Sequence, residues 1–175
     1  MTPLRADAQR NLTRVLDAAA EAFARHGPDV SVDEIARLAG VGHATVFRRF
    51  PTKEALVAAV VENYVVDLLA LARAAADEDD PAAAFTGFVW RAAELHASSR
   101  GLFECVGRCE ESPGPAELAE AVELLAARAQ AAGALRNDIT GKDVYRLVGA
   151  AIESAPAEQW RRYVEIVLAG LRPGA

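Results

Sequence analysis

Residues 30–56 read VSVDEIARLAGVGHATVFRRFPTKEAL, and this stretch decides the fold. It opens on a capping box, because Ser31 can cap a helix and a glutamate follows three residues later. Gly40 ends that helix after about two turns, since glycine readily adopts the left-handed conformation at a helix C-terminus. A turn through Gly42 leads to a second short helix, expected over His43–Phe50. Two short helices joined by a tight turn with glycine predict a helix-turn-helix.

The apolar residues of this stretch recur at helical spacing, which lets its two helices pack on each other and on a longer helix before them. That preceding helix is expected over about Ala6–Arg25, where a following Gly-Pro pair ends it. The first helix of the pair should turn Ile35, Leu38 and Ala39 inward. The small core expected to hold the two helices at a steep angle comprises Leu38, Val41, Val46 and Phe50.

The rest of the 175-residue chain is also expected to be helical. Apolar residues make up 52% of it, and the strong helix formers Ala and Leu dominate them. A long helix starts after Thr52 and is apolar over more than one face, so it should pack against two neighbours. The remaining helices, separated by Gly, Pro and acidic residues, are expected after Pro81, at about Arg100–Glu110, from Pro115, over Gly141–Ser154 and over Pro156–Leu171.

The predicted fold class is therefore all-α, with about nine helices. An N-terminal three-helix domain with the helix-turn-helix, residues 1–53, is expected to join a C-terminal helical domain, residues 54–175, through the long fourth helix. The length is compatible with this division, since domains have about 100–200 residues and two smaller ones can share a core.

Charge is distributed unevenly along the chain. The formal net charge is −6, yet residues 1–53 carry eight Lys/Arg against six Asp/Glu, and the remaining 122 residues carry eleven against nineteen. A basic N-terminal part favours local contact with DNA, since phosphate neutralisation acts over a short range in salt. The longest apolar stretch, Leu56–Ala76, is interrupted by charged residues, and no apolar signal core follows the charged N-terminus. We therefore expect a soluble, cytoplasmic protein without a membrane partner.

Residues 30–56 resemble the DNA-binding signature of the TetR/AcrR family at over a dozen positions. The matching elements are Ser31, Ile35-Ala36, Ala39-Gly40-Val41, Thr45-Val46-Phe47, Phe50 and Thr52-Lys53-Glu54-x-Leu56. The close resemblance covers about residues 10–60. It implies a sequence-specific transcriptional regulator, most commonly a repressor, whose homodimer binds a pseudo-palindromic operator in double-stranded DNA and responds to a small-molecule effector.

The sequence departs from the family signature at two positions. The family usually has Ser or a similar capping residue where Gly42 stands, and Tyr where Phe47 stands. Glycine caps only a few tenths of a kcal/mol less well than serine. Phenylalanine, however, cannot donate a hydroxyl hydrogen bond to phosphate. Arg48 and Arg49 offer positive charge beside the DNA backbone instead. We therefore expect binding to depend more on phosphate charge than is usual in the family.

Residue chemistry and the resemblance together assign roles in DNA binding. His43 can hydrogen-bond a base edge, while Ala44 and the methyl group of Thr45 suit a thymine methyl. The remaining predicted contacts are mainly to phosphate. The predicted DNA-binding residues are Ser31, Gly42, His43, Ala44, Thr45, Phe47, Arg48, Arg49 and Lys53. In an alternative interpretation the arginines are solvated surface charge and Phe47 belongs to the core.

The resemblance also implies that the C-terminal helices form a dimer interface and contain an effector pocket. The last two helices carry the apolar residues expected at the dimer interface: Val144, Leu147, Val148, Ala151, Ile152, Trp160, Val164 and Val167. The alternative is that these helices bury the same face within one subunit. The residues expected to line the pocket, if they are not ordinary core, are Phe88, Trp90, His96, Phe103, Cys105 and Tyr145.

Other classes of function have little support in the sequence. Cys105 and Cys109 lack a clear third ligand and are expected to be buried apolar cysteines, so no metal or other cofactor is predicted. No phosphate-binding loop, zinc-protease motif or nucleophile elbow occurs, and the three histidines lie far apart, so no enzyme is expected. A helical protein-interaction module that does not bind specific DNA sites is the remaining alternative.

Overall fold

The computed structural model describes residues 3–102 and 116–174, and these are helical with no strand. The helices are α1 (Pro3–His26), α2 (Val32–Ala39), α3 (His43–Arg49), α4 (Lys53–Ala76), α5 (Pro81–Ser98), α6 (Ala116–Ala131), α7 (Gly141–Ser154) and α8 (Trp160–Gly170). A short 3-10 turn, Gly27–Asp29, follows α1, and a further helical turn begins at Arg100. The predicted all-α class is confirmed. Most of the helix expected over Arg100–Glu110 lies outside the described residues.

The chain divides into two compact units. The first contains the chain up to Tyr64 together with a segment that begins at Ser98. The sequence placed the boundary after residue 53. The first unit extends past that residue because the first turns of α4 pack into the same core. That core is the set of buried residues Val15, Ala18, Ala19, Ala22, Phe23, Val30, Ile35, Ala36, Ala39, Val46, Phe50, Leu56, Val60 and Leu102.

The prediction that Leu38 faces the core is wrong. Its side chain is 46% exposed, and Ala36 is buried in its place. The reason is the direction from which α1 packs on α2. Successive residues advance about 100° around a helix, so Leu38 lies about 110° from the middle of the face formed by Ile35, Ala36 and Ala39. Leu38 is thus on the flank of α2.

The second unit contains α4 from Val65, then α5 up to Ala97 and the helices α6 to α8. Within it α7 packs against α6 and α8. Side chains form hydrogen bonds with backbone groups near helix ends, where these groups have no partner within the helix. Arg128 donates to the carbonyl oxygen of Glu78 beyond the end of α4, at 2.7 Å. At the start of α7, Thr140 forms a capping box with Asp143. The carboxylate of Asp143 consequently has a lowered pKa, because Thr140 donates hydrogen bonds to it.

Helix α4 contributes to both cores. Five of its buried residues recur every four positions, at Leu56, Val60, Tyr64, Leu68 and Ala72, and Ala75 is buried three residues further on. By length and composition alone α4 could also cross a membrane, although the core helix of a soluble protein meets the same criteria. The buried residues of α4 contribute to the cores of both units.

Candidate nucleic-acid interface

The turn between α2 and α3 is built from local hydrogen bonds. Ser31 caps α2, since its hydroxyl oxygen accepts a hydrogen bond from the backbone N–H of Glu34 at 3.2 Å. Gly40 has a φ of +64°, the left-handed conformation predicted for it. Its missing side chain also makes room for α1, because a Cβ there would lie 2.6 Å from Nη2 of Arg14. Arg14 therefore packs on the turn, a contact that the sequence pattern did not indicate.

Helix α3 is anchored by one buried residue and exposes the rest of its surface. Val46 is fully buried in the core of the first unit, while Phe50 is buried just after the helix ends. Gly42 stands at the N-cap position without a side-chain hydrogen bond, as its lack of a side chain requires. The exposed residues of α3 are His43, Ala44, Phe47, Arg48 and Arg49, and Thr45 is half-buried. This outward face carries two cations and no carboxylate.

Phe47 decides between two interpretations of α3. In the alternative interpretation it belongs to the core, yet its side chain is 54% exposed. Its side chain therefore does not belong to the core of the first unit. Its ring stacks against His43, with centroids 5.9 Å apart and an interplanar angle of 16°. Phe47 and His43 thus form one continuous aromatic surface on the outward face of α3.

His43 makes a second contact, to Asp33 in the first turn of α2. The ring atom Nδ1 of His43 pairs with Oδ1 of Asp33 across the turn. Both side chains remain solvent-exposed. The sequence marked His43 as a candidate for base contact but gave no signal for Asp33, because the pairing depends on the angle between the two helices rather than on spacing along one of them.

Lys53 was expected to contact phosphate, but its side chain makes contacts within the first unit. Its Nζ atom donates a hydrogen bond to the carbonyl oxygen of Val30, 2.7 Å away, and lies 6.0 Å from the ring centroid of Phe23. The side chain is partly buried, unlike those of Arg48 and Arg49. Lys53 therefore joins the first turn of α4 to the connection between α1 and α2.

Four of the residues expected to line an effector pocket lie within the described part of the chain: Phe88, Trp90, His96 and Tyr145. Phe88 and His96 are buried in the second unit, where Nε2 of His96 lies 3.7 Å from a carboxylate oxygen of Glu153. Trp90 instead pairs with Trp160, at 6.4 Å between ring centroids. Tyr145 is largely exposed, although partial burial and, to a smaller extent, Glu153 raise the pKa of its hydroxyl. Phe103 and Cys105 lie outside the described residues.

Most of the residues predicted for the dimer interface are buried inside the chain. They are Val144, Val148, Ala151, Ile152 and Val164. These side chains pack into the core of one subunit, which agrees with the alternative that the sequence left open. Trp160 and Val167 are half-buried and Leu147 is exposed. Large side chains that the sequence did not assign to the interface are exposed on the same two helices: Tyr145, which was expected in the effector pocket, Tyr163 and Ile166.

Within residues 3–102 and 116–174, no group of three or more His, Cys, Asp or Glu residues is close enough to hold a metal ion. Cys109, like Cys105, lies outside those residues, so the expectation that both are buried apolar cysteines stays a prediction.

The fold and the exposed face of α3 define a helix-turn-helix regulator, and known proteins share this arrangement. The model of bacterial regulatory proteins of the tetR family matches residues 15–60, and the model of the SbtR-like transcriptional regulator C-terminal domain matches residues 80–173. The TetR transcription regulatory protein from Mycobacterium vanbaalenii is 38% identical, with a TM-score of 0.76, over 97% of this chain and 99% of that one. The chain belongs to the TetR family of bacterial transcriptional regulators.

Further relatives support this assignment. A TetR transcriptional regulator from Streptomyces coelicolor is 31% identical, with a TM-score of 0.74, over 93% of this chain and 99% of that one. An HTH-type transcriptional repressor from Mycobacterium tuberculosis is 34% identical over 62% of this chain, a match that spans 56% of that protein. An uncharacterised HTH-type regulator from the same species is 40% identical over 32% of this chain, and that match covers 30% of the length of the relative.

Proposed function

We propose that the chain represses transcription by binding an operator in double-stranded DNA as a homodimer. The outward face of α3, with Phe47 exposed beside two arginines on a helix anchored by Val46, carries the proposal. A helix so presented has the size and charge needed to enter the major groove, which is about 12 Å wide. Repression is the mode named for the M. tuberculosis relative. The proposed location is the cytoplasm, where the DNA lies.

Selection of bound sequences from random double-stranded DNA tests this proposal. The purified protein should enrich a pseudo-palindrome whose half-sites are centred about one helical turn, roughly 34–36 Å, apart. Specific affinity should exceed non-specific affinity by about 10³-fold or more at physiological salt. If no sequence is enriched, the protein is instead a helical interaction module, and the repressor proposal fails.

Dimerisation is assigned to the exposed apolar side chains of α7 and α8. These helices pack against each other, and they expose Tyr145, Leu147, Tyr163 and Ile166. Apolar groups at these positions favour a self-complementary contact with a second copy, because a two-fold interface uses the same patch on both subunits. The dimer gives the operator its two-fold symmetry, since each subunit contributes one copy of α3.

Ile166→Glu is expected to convert the dimer into a monomer. The side chain of Ile166 is 60% exposed in one subunit, so the change leaves that subunit folded while it places a charge in the proposed interface. Analytical ultracentrifugation measures the mass. Val66→Glu is the matched control, because Val66 is 61% exposed on α4 and should leave the dimer intact. A dimeric Ile166→Glu variant, or a monomeric Val66→Glu variant, would contradict the assignment.

Lys53→Met is expected to weaken operator binding without changing its dependence on salt. The substitution keeps the aliphatic stem but removes the ammonium that holds the carbonyl of Val30. Positioning is therefore lost rather than a phosphate contact. Arg49→Met is the comparison, because Arg49 is exposed on α3. Loss of one phosphate contact should make the negative slope of log K against log salt shallower by about 0.9. If Lys53→Met made the slope shallower by a similar amount, Lys53 would be a phosphate contact.

A small-molecule effector is proposed to bind within the second unit. The core of that unit contains the aromatic rings of Phe85 and Phe88 and the buried imidazole of His96, all on α5, and this composition suits an apolar ligand with one polar group. A ligand screen by thermal shift tests this proposal. A true effector should raise the melting temperature and release the operator, whereas a ligand that does only the first is not the effector.

A further inference from the structure

We infer that Asp33 is a positioning residue for base recognition, which orients the imidazole of His43 so that its Nε2 accepts a hydrogen bond from DNA. The inference rests on the proposed function, because it concerns how the outward face of α3 reads an operator. Asp33 lies in the first turn of α2, whereas His43 is the first residue of α3. The pair therefore crosses the turn of the helix-turn-helix, and its geometry follows the angle between the two helices.

Two contacts restrain the ring of His43 in different directions. Asp33 holds one edge of the ring, at Nδ1, and Phe47 covers one face in a nearly parallel stack. A ring held by an edge and a face keeps one orientation, and its remaining edge carries Nε2. The side chains of His43 and Asp33 are 53% and 77% exposed, so water weakens their pairing in the free protein. DNA that covers the pair would displace that water and strengthen it.

The contact with Asp33 also selects a tautomer. A neutral imidazole has one N–H, and the hydrogen bond made by one nitrogen decides which of the two carries it. A carboxylate only accepts, so the proton stays on Nδ1 and Nε2 is left as an acceptor. In the major groove the exocyclic amines of cytosine and adenine are donors, whereas guanine and thymine present carbonyl oxygens at the equivalent positions. The base that faces His43 is therefore expected to be cytosine or adenine.

Operator variants test this inference on the full-length protein. The base pair read by His43 is the one at which His43→Ala abolishes discrimination among four otherwise identical operators. At that position we expect the wild-type protein to prefer one base pair by roughly tenfold, the lower range for a direct base contact. Asp33→Ala should reduce this preference to about twofold, and the double variant should lose no more than His43→Ala alone, because Asp33 acts only through His43.

Glu34→Ala supplies the matched control for charge. Glu34 follows Asp33 in α2, and its carboxylate faces Arg37 at 3.9 Å, so its loss removes the same charge without touching His43. This variant should keep the wild-type base preference. A second readout does not depend on DNA: long-range proton–nitrogen NMR should show the Nδ1–H tautomer of His43 in the wild type and a mixture of tautomers in Asp33→Ala.

The outcomes separate the inference from the proposed function. If Asp33→Ala keeps the full preference that His43→Ala loses, Asp33 does not position the ring. His43→Ala with unchanged discrimination at every position also overturns the inference. The proposed function fails in a different way, since the wild-type protein would then enrich no operator at all.

Discussion

Gly101→Ala is expected to lower the free energy of unfolding by about 3 kcal/mol, the upper range for overpacking. A Cβ at this position would overlap the carbonyl oxygen of Phe23 and lie 2.9 Å from its carbonyl carbon and 3.0 Å from Cα of Ala24. These are backbone atoms at the end of α1, so no side-chain rotation can relieve the contact. Leu102, the next residue, is buried in the core of the first unit, which prevents the segment from moving away.

Thermal denaturation at fixed protein concentration measures the effect of Gly101→Ala. For a chain of this size, about 3 kcal/mol corresponds to a fall in melting temperature of about 6–12 °C. Gly87→Ala is the control. Gly87 lies inside α5, where the new methyl group meets only the end of the flexible Arg91 side chain. Because alanine favours a helix over glycine, this variant should be equally or more stable. A Gly101→Ala variant with the wild-type melting temperature would show that the two backbones are not in close contact.

Phe47→Ala is expected to weaken operator binding about 10-fold to 30-fold while leaving folding nearly unchanged. The side chain is 54% exposed in the free protein, so its removal leaves little cavity. On DNA the rest of the ring becomes buried, and burial of such a side chain contributes about 1.5–2 kcal/mol. The variant also loses the stack on His43, so base preference at the position read by His43 should decline along with affinity.

Leu38→Ala is the matched control for this second result. Leu38 is a large apolar residue of the same unit and is 46% exposed, but it lies on the flank of α2 rather than on α3. Fluorescence anisotropy with a labelled operator measures both affinities, and circular dichroism measures stability. Equal losses of affinity in the two variants would mean that exposed apolar surface in general, and not Phe47, supports binding. A large loss of stability in Phe47→Ala would mean that the Phe47 side chain packs in the core.

The local parts of the fold could be predicted from the sequence, because caps and turns depend on neighbouring residues. Ser31 caps α2, Gly40 takes the left-handed conformation, and Val46 and Phe50 are buried as expected. The position of Leu38 could not be predicted in this way. It follows from the side on which α1 packs, and hydrophobic periodicity alone defines the width of an apolar face but not its centre.

The candidate site was predicted in part for the same reason. Residues on the outward face of α3 follow from helical spacing. The pairing of Asp33 with His43 and of Lys53 with Val30 joins residues of different elements, which no local pattern specifies. The dimer interface shows the limit most clearly, since an amphipathic helix has the same sequence whether its apolar face meets its own subunit or another one. Val144 and Ile152 meet their own subunit.

The four-residue spacing along α4 restricts how the length of this helix can vary in evolution. Leu56, Val60, Tyr64, Leu68 and Ala72 form one row of residues four apart, which winds about 40° around the helix axis at each step. Inserting or deleting a single residue after Tyr64 would turn every later side chain about 100° around the helix axis and bring polar residues into the row. Point substitutions that preserve apolar character are compatible with this helix, but single-residue length changes are not. Related regulators should therefore align through this segment without gaps.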